Sequence, residues 1–178
     1  HSWDLMDGQQ RSCLARLAVF RGSFDIQAAG QVAGAAPASL AHLAERSLLR
    51  PMAESRYQLH GLLRQYAAEK LAEDPVDLAR TQAYHAAFYA QLLAGLEADL
   101  RGARQELALG SIDRDIANVR GAWEWALDEI SAGRLAAREV LERSLDGLYL
   151  FFSLRSWYQE GASVFGRAAG IVTEAAGT

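Results

Sequence analysis

Between Arg56 and Leu71 the spacing of apolar positions changes once. From Arg56 to His60 they alternate, with Tyr57 and Leu59 set against Arg56, Gln58 and His60, the period of a half-buried strand. From Leu59 the interval becomes three and four, through Leu62, Leu63, Tyr66, Ala67 and Leu71, which is one face of a helix. The pattern upstream predicts three helices. The first runs from Gly8 to Val19 behind a capping box of Asp7 and Gln10, with Leu14, Leu17 and Ala18 inward and a break at Phe20–Phe24. The second is capped by Asp25, turns Ile26, Ala29, Val32 and Ala33 inward and ends at Gly34. Pro37 opens the third, which carries Leu40 and Leu43. Leu48 to Ala53 reads as a short strand, placed at an edge by Pro51. Glu54-Ser55 is the turn and Arg56–Leu59 the return strand.

Three helices followed by a hairpin is the order of a winged helix. Asp74-Pro75 is both a cap and a first-turn proline, and divides a winged-helix domain, residues 1–73, from a helical domain, residues 74–178. In the second domain a helix from Val76 to about Leu100 carries Leu78, His85, Phe88, Leu92 and Leu96 on one face. A short helix, Arg104 to Leu109, and a longer one, Ser111 to Glu129, follow, with Ile112, Ile116, Val119, Trp123, Ala126 and Leu127 inward. A further helix is expected from Ser131 to Phe152, then a tight link at Ser153–Ser156 and a last helix to about Ile171. In that last helix Tyr158, Gly161, Phe165 and Ala168 fall at intervals of three, four and three, the spacing of the second half of a tetratricopeptide repeat. Leu148, Tyr149 and Phe152 supply the preceding face. The fold class is therefore mainly α: a winged-helix domain with a small β-hairpin, followed by a TPR-like α-α helical-repeat bundle. A solenoid needs about three such repeats, so more helical repeat is expected beyond Thr178.

Composition narrows the function. At 51% apolar and 22% charged residues the chain can bury a core. Residues 1–73 carry eight basic and seven acidic side chains, net +1, and residues 74–178 carry ten and fifteen, net −5. Neither segment has the concentrated positive charge that binding a phosphate backbone requires. The third helix would be the groove reader, and it offers Ser39, His42, Glu45 and Arg46; the wing adds Arg50 and Arg56. No direct DNA contact and no membrane contact is expected. The single cysteine, Cys13, excludes an intramolecular disulfide and an all-cysteine metal site. No apolar run is long enough to cross a bilayer, and no signal pattern opens the chain, so a cytoplasmic location is the default.

His60 stands where strand becomes helix, beside backbone N–H groups that favour anions. By residue type alone the favoured reading is a histidine that merely caps the helix or fills a corner. His85 reads as a core histidine, since no second ligand follows at i+4. Asp113, Asp115, Glu124, Asp128 and Glu129 read as solvated face charges. Trp123 and Trp125 cannot share one helix face. With Trp157 they make a candidate partner surface, the alternative being burial on a helix packed from two sides. There is no phosphate loop, no G-x-G-x-x-G, no H-E-x-x-H and no G-x-S-x-G. No cofactor site and no enzyme activity is expected of the chain alone.

Leu59-His60-Gly61 followed by LLRQYA resembles the Met-His-Asp motif region of the NB-ARC, or STAND, class of signalling ATPases. Gly61 stands where that motif has Asp. RLAVFRGSFDIQAAGQVAG, from Arg16 to Gly34, resembles the LAVF-R-G-G-F segment of bacterial STAND regulators, with Ser23 in place of the second Gly. Ser47-Leu48-Leu49-Arg50 is similar to their K-S-L-L, and Asn118-Val119-Arg120 with Trp123 and Trp125 to their D-N-L-R-A-A-L-x-W-A-L. The resemblance implies a non-catalytic regulatory part of a LuxR- or SARP-type transcriptional regulator. It implies an upstream ATPase domain that binds ADP or ATP, His60 as its nucleotide-sensing group, and a helical arm for an effector. The alternatives are a stand-alone protein-interaction module and, less favoured by the charges, a DNA-binding winged helix.

Overall fold

A computed structural model describes residues 6–176; His1–Leu5, with the apolar Trp3 and Leu5, lie outside them. The described residues form eight helices and three short strands: α1 Gly8–Leu17, β1 Phe24–Asp25, α2 Ile26–Ala33, α3 Pro37–Glu45, β2 Leu49–Met52, β3 Arg56–Leu59, α4 Gly61–Ala72, α5 Pro75–Leu100, α6 Gln105–Ser131, α7 Arg138–Leu154 and α8 Tyr158–Ala176. A single 3-10 turn, Leu135–Ala137, precedes α7. Two compact units divide between Phe88 and Tyr89, inside α5.

The first unit is built by its caps. Asp7 Oδ1 accepts from Gln10 N at 2.8 Å, and Gln10 Oε1 accepts from Asp7 N at 3.3 Å, the reciprocal box at the start of α1. Asp25 accepts from Ala28 N at 2.7 Å, and Gly34 closes α2 in the left-handed conformation at φ 67°. Pro37 begins α3. Leu14, Leu17, Phe20, Phe24, Ala29, Val32, Leu40 and Leu43 form the core between these helices. Cys13 is buried with them, and that burial pushes its thiol pKa up against a smaller pull from the Arg16 charge.

The sheet has three antiparallel strands rather than a hairpin alone, in the order β1-β3-β2. β1 is two residues long and shows no period, which is why Phe20–Phe24 reads as a mere break. Pro51 does lie on an edge strand, opposite Tyr57. The connecting loop Ala53-Glu54-Ser55 places Glu54 and Ser55 at φ 57° and 55°, the positive region that closes short hairpin loops. The alternation in β3 is not what residue type predicts. Arg56 is buried at 7% exposure, on the strength of bonds described below, while Tyr57 and Gln58 are both half-buried.

Asp74 accepts from Val76 N at 3.1 Å and from Asp77 N at 3.0 Å, so α5 starts as its cap and proline predict. Its buried stripe differs from the expected one. Leu78, Thr81 and His85 serve the first unit, His85 with its ring 5.4 Å from Phe20, edge to face. In the second unit Tyr89, Leu93 and Leu100 are buried, whereas Leu92 and Leu96 are half-buried. One stripe at fixed spacing cannot serve two cores.

In the second unit, α6 is one continuous helix rather than two. Gly110 costs a helix only about 1 kcal/mol, less than the packing of Ala108, Leu109 and Ile112 around it returns. Ser131 ends α6 rather than opening the next helix, and α7 starts at Arg138 after the 3-10 turn. Asp115 is not a solvated face charge. It is buried, accepting from Tyr89 OH at 3.2 Å and from Asn118 Nδ2 at 3.4 Å. Arg120 pairs with Glu160, and Arg167 with Asp128 at 3.4 Å. The pairings advance in the same sense on both helices, so α6 and α8 run parallel with α7 returning between them. Arg155 at the end of α7 pairs with Asp113 of α6. Gly147 lets α7 approach α5: a Cβ there would stand 2.8 Å from the Leu93 carbonyl oxygen.

Two outcomes follow from this packing. Gly147→Ala must displace the Leu93 backbone and is expected to cost about 1–3 kcal/mol, read as a lower urea midpoint at unchanged slope. In the first unit Arg16 Nε donates to Asp77 Oδ2 at 2.9 Å, and Arg80 Nη2 donates to Asp77 Oδ1 at 2.5 Å. Partial burial opposes ionisation of Asp77, but the two guanidinium bonds and charges outweigh it and hold the carboxyl below its usual range. The folded pKa is depressed, so this stabilisation is complete above the unfolded carboxyl range near about pH 4. It is lost as pH falls through and below that range. Asp77→Asn is expected to lower stability at pH 7 by about 1–2 kcal/mol and to flatten the acid limb of a denaturation series.

Candidate functional site

His60 follows the last residue of β3 and is the N-cap of α4, with extended backbone at φ −64°, ψ 142°. Its carbonyl accepts from Arg64 N at 2.8 Å, the first helical bond. Its side chain is exposed and makes no capping bond, so the first turn of this twelve-residue helix has no side-chain cap. Gly61 is exposed, with nothing within 4 Å of where a Cβ would stand. An aspartate would fit there; glycine leaves the turn open instead of filling it.

The buried face of α4 is narrower than its spacing implies. Ala67 and Leu71 are buried against α1, with Leu63 half-buried, while Leu62 is 77% exposed and Tyr66 39% exposed. Leu62 and Tyr66 are one turn apart and form a separate strip facing solvent, with the Lys70 ammonium 5.7 Å from the centre of the Tyr66 ring.

On the far side of the unit, α2 and α3 are joined by the short turn Gly34–Ala36, and the outward residues of α3 are Ala38, Ala41, His42 and Glu45. Residues 6–72 match the family model of a winged helix-turn-helix domain. No curated protein and no solved structure matches the chain. The helix order and the β1-β3-β2 sheet agree with that assignment, and a helical bundle follows the winged helix.

The groove-reading helix of the winged helix offers little to DNA. His42 Nδ1 lies 3.8 Å from Glu45, so the exposed imidazole and carboxylate of α3 face each other. Arg46 is half-buried and Arg50 exposed, but Arg56 is in the core, which removes it from any phosphate contact.

The three tryptophans of the helical unit do not make one surface. Trp123 is buried, edge-on to Phe165 at 5.7 Å, because α7 and α8 both cover α6. Trp125 is half-buried. Trp157 is 37% exposed and packs on Phe151 at 5.5 Å, with the Arg120 guanidinium 5.8 Å from its ring centre. The aromatic rings most open to solvent are instead Tyr149 and Tyr158, which the repeat spacing assigned to inward faces. Exposure at Tyr149 could not be read from that spacing, since a tyrosine suits either side. Among the described residues no group of His, Cys, Asp and Glu could hold a metal ion, and no helix is long and apolar enough to cross a membrane.

The charge distribution makes a direct expectation for nucleic acid. Non-specific DNA binders reach dissociation constants of about 1–100 µM at physiological salt. This chain is expected to bind a random duplex more weakly than that, with no change on Arg50→Gln, as read by fluorescence anisotropy.

Proposed function

We propose that this chain is the regulatory segment of a STAND-type transcriptional regulator, coupling the nucleotide state of an ATPase domain to a helical sensor arm. The observation that carries the reading is the placement of His60. An exposed imidazole follows the central strand of the wing sheet, at the N-cap of a helix whose first turn has no side-chain cap. Such a terminus and a histidine suit a phosphate oxygen. The chain supplies no phosphate loop and acts without catalysis of its own; ADP or ATP belongs to the ATPase domain upstream. In the resting state His60 contacts the terminal phosphate of ADP. An effector bound to the TPR-like arm favours the form in which that contact is broken. The setting is cytoplasmic, and promoter contact belongs to another domain.

One observation favours a second reading, a plain protein-interaction module. Tyr149 and Tyr158 are exposed on α7 and α8, and Leu62 and Tyr66 on α4, with no nucleotide required for any of them. Hydrogen exchange separates the two readings: with the ATPase domain present, only the switch predicts that ADP slows the amides of residues 57–63.

In the protein that carries the ATPase domain, His60→Ala is expected to weaken ADP about tenfold, the equivalent of one charge-assisted hydrogen bond of about 1.4 kcal/mol. Basal transcriptional activity is expected to rise. Calorimetric titration showing unchanged ADP affinity overturns the proposal.

A further inference from the structure

We propose that Arg56 is the positioning residue for His60, an inference that rests on the reading of His60 as the sensing group. Arg56 opens β3, and His60 follows its end. Between them lie Tyr57, Gln58 and Leu59, so the two are joined by about 13 Å of extended chain. The Arg56 guanidinium is buried and grips one residue twice: Nε donates to Ser23 Oγ at 2.9 Å and Nη2 donates to the Ser23 carbonyl at 2.9 Å. Two bonds from one planar fork fix orientation as well as distance.

The grip falls where the sheet needs it. On its outer side β3 is paired along all four residues, from Met52↔Arg56 to Leu49↔Leu59. On the other side β1 pairs only Asp25↔Arg56 and Phe24↔Tyr57. The clamp extends that short pairing into the loop before β1. The loop is itself anchored: Phe24 stacks on Phe20 at 4.4 Å, and Phe20 meets His85 of α5. A fixed line of contacts thus runs from α5 through Phe20, Phe24 and Ser23 to Arg56, and along β3 to His60. Burying an arginine is a poor means of gaining stability alone, since apolar replacements of buried charged groups are often neutral or better. What the guanidinium supplies is register. Ser23 contributes the hydroxyl that a glycine in its place would lack.

The test uses the 178-residue chain and needs no nucleotide. The His60 ring signal in a proton–carbon NMR spectrum is assigned by its loss in His60→Ala. In Arg56→Gln it is expected to shift and broaden, with exchange at Tyr57–Leu59 amides faster by at least about tenfold, while the His42 signal on α3 and the second unit stay in place. Arg56→Lys, which keeps the charge and one donor, is expected to restore part of the shift. Should Arg56→Gln lose the fold, Ser23→Ala decides, since it removes only one acceptor, and the same selective shift is expected. An unmoved His60 signal, or His42 moving as far as His60, overturns the proposal. That result leaves the sensing reading standing, because the latter fails only on ADP affinity in His60→Ala.

Discussion

The winged helix depends on a strand of four residues. β3 is the only strand of the sheet with a neighbour on each side, and three segments of the first unit are attached to it. The wing hangs from one edge, the loop after α1 from the other, and the seam with α4 from its end. So short a strand has few ladder bonds to hold its register. The buried Arg56 fork on Ser23 adds two side-chain bonds that reach one residue past the last β1 pair. A charged group in a core is normally a cost; here its five donors in a rigid plane tie together segments that backbone pairing alone reaches only in part.

Winged helices are often read as DNA readers, and the fold alone cannot carry that reading. The physical requirement is a surplus of positive charge on the helix that enters the groove and on the wing. In this chain the exposed His42 of α3 faces Glu45 one turn away, and the arginine that opens the return strand of the wing is spent inside the core. The exposed strip Leu62–Tyr66 on α4 points the same way. Its leucine and tyrosine side chains offer a polyanion no charge.

The sequence disclosed boundaries better than faces. Asp7, Asp25, Gly34, Pro37 and Asp74 marked helix ends correctly because capping chemistry is local: one side chain, one or two backbone groups, three residues apart. Pro51 marked an edge strand for the same reason. Faces were harder. Leu62, Leu63, Tyr66, Ala67 and Leu71 span a wide arc, and which part of it is buried depends on where α1 lies, which no spacing records. β1 is too short to have a period. Arg56, Asp115 and Asn118 were misjudged or passed over because residue type predicts exposure, and only a partner from elsewhere in the chain, Ser23 for one and Tyr89 for another, reverses it. His60 was legible as a junction residue from the change of period, and its exposed ring and uncapped helix are what the structure adds.

The helical unit is held together differently, and the difference bears on its use. Its core is joined by close backbone approach and aromatic edges: Gly147 against Leu93, Gly161 where an added Cβ would stand 3.3 Å from Phe152, Phe165 between Trp123 and Phe152. Small residues and flat rings at helix contacts fix crossing geometry tightly, because a single added methyl has nowhere to go. Of the ion pairs between these helices, Arg167 with Asp128 is solvent-exposed and adds little to stability, while Arg120 with Glu160 is half-buried. They set the phase of α8 along α6. α6 and α8 run parallel, and the antiparallel α7 packs on both. Of the residues at the repeat spacing, Gly161 and Ala168 are buried, Phe165 is half-buried and Tyr158 is exposed. Tyr149 and Tyr158 are left exposed on α7 and α8.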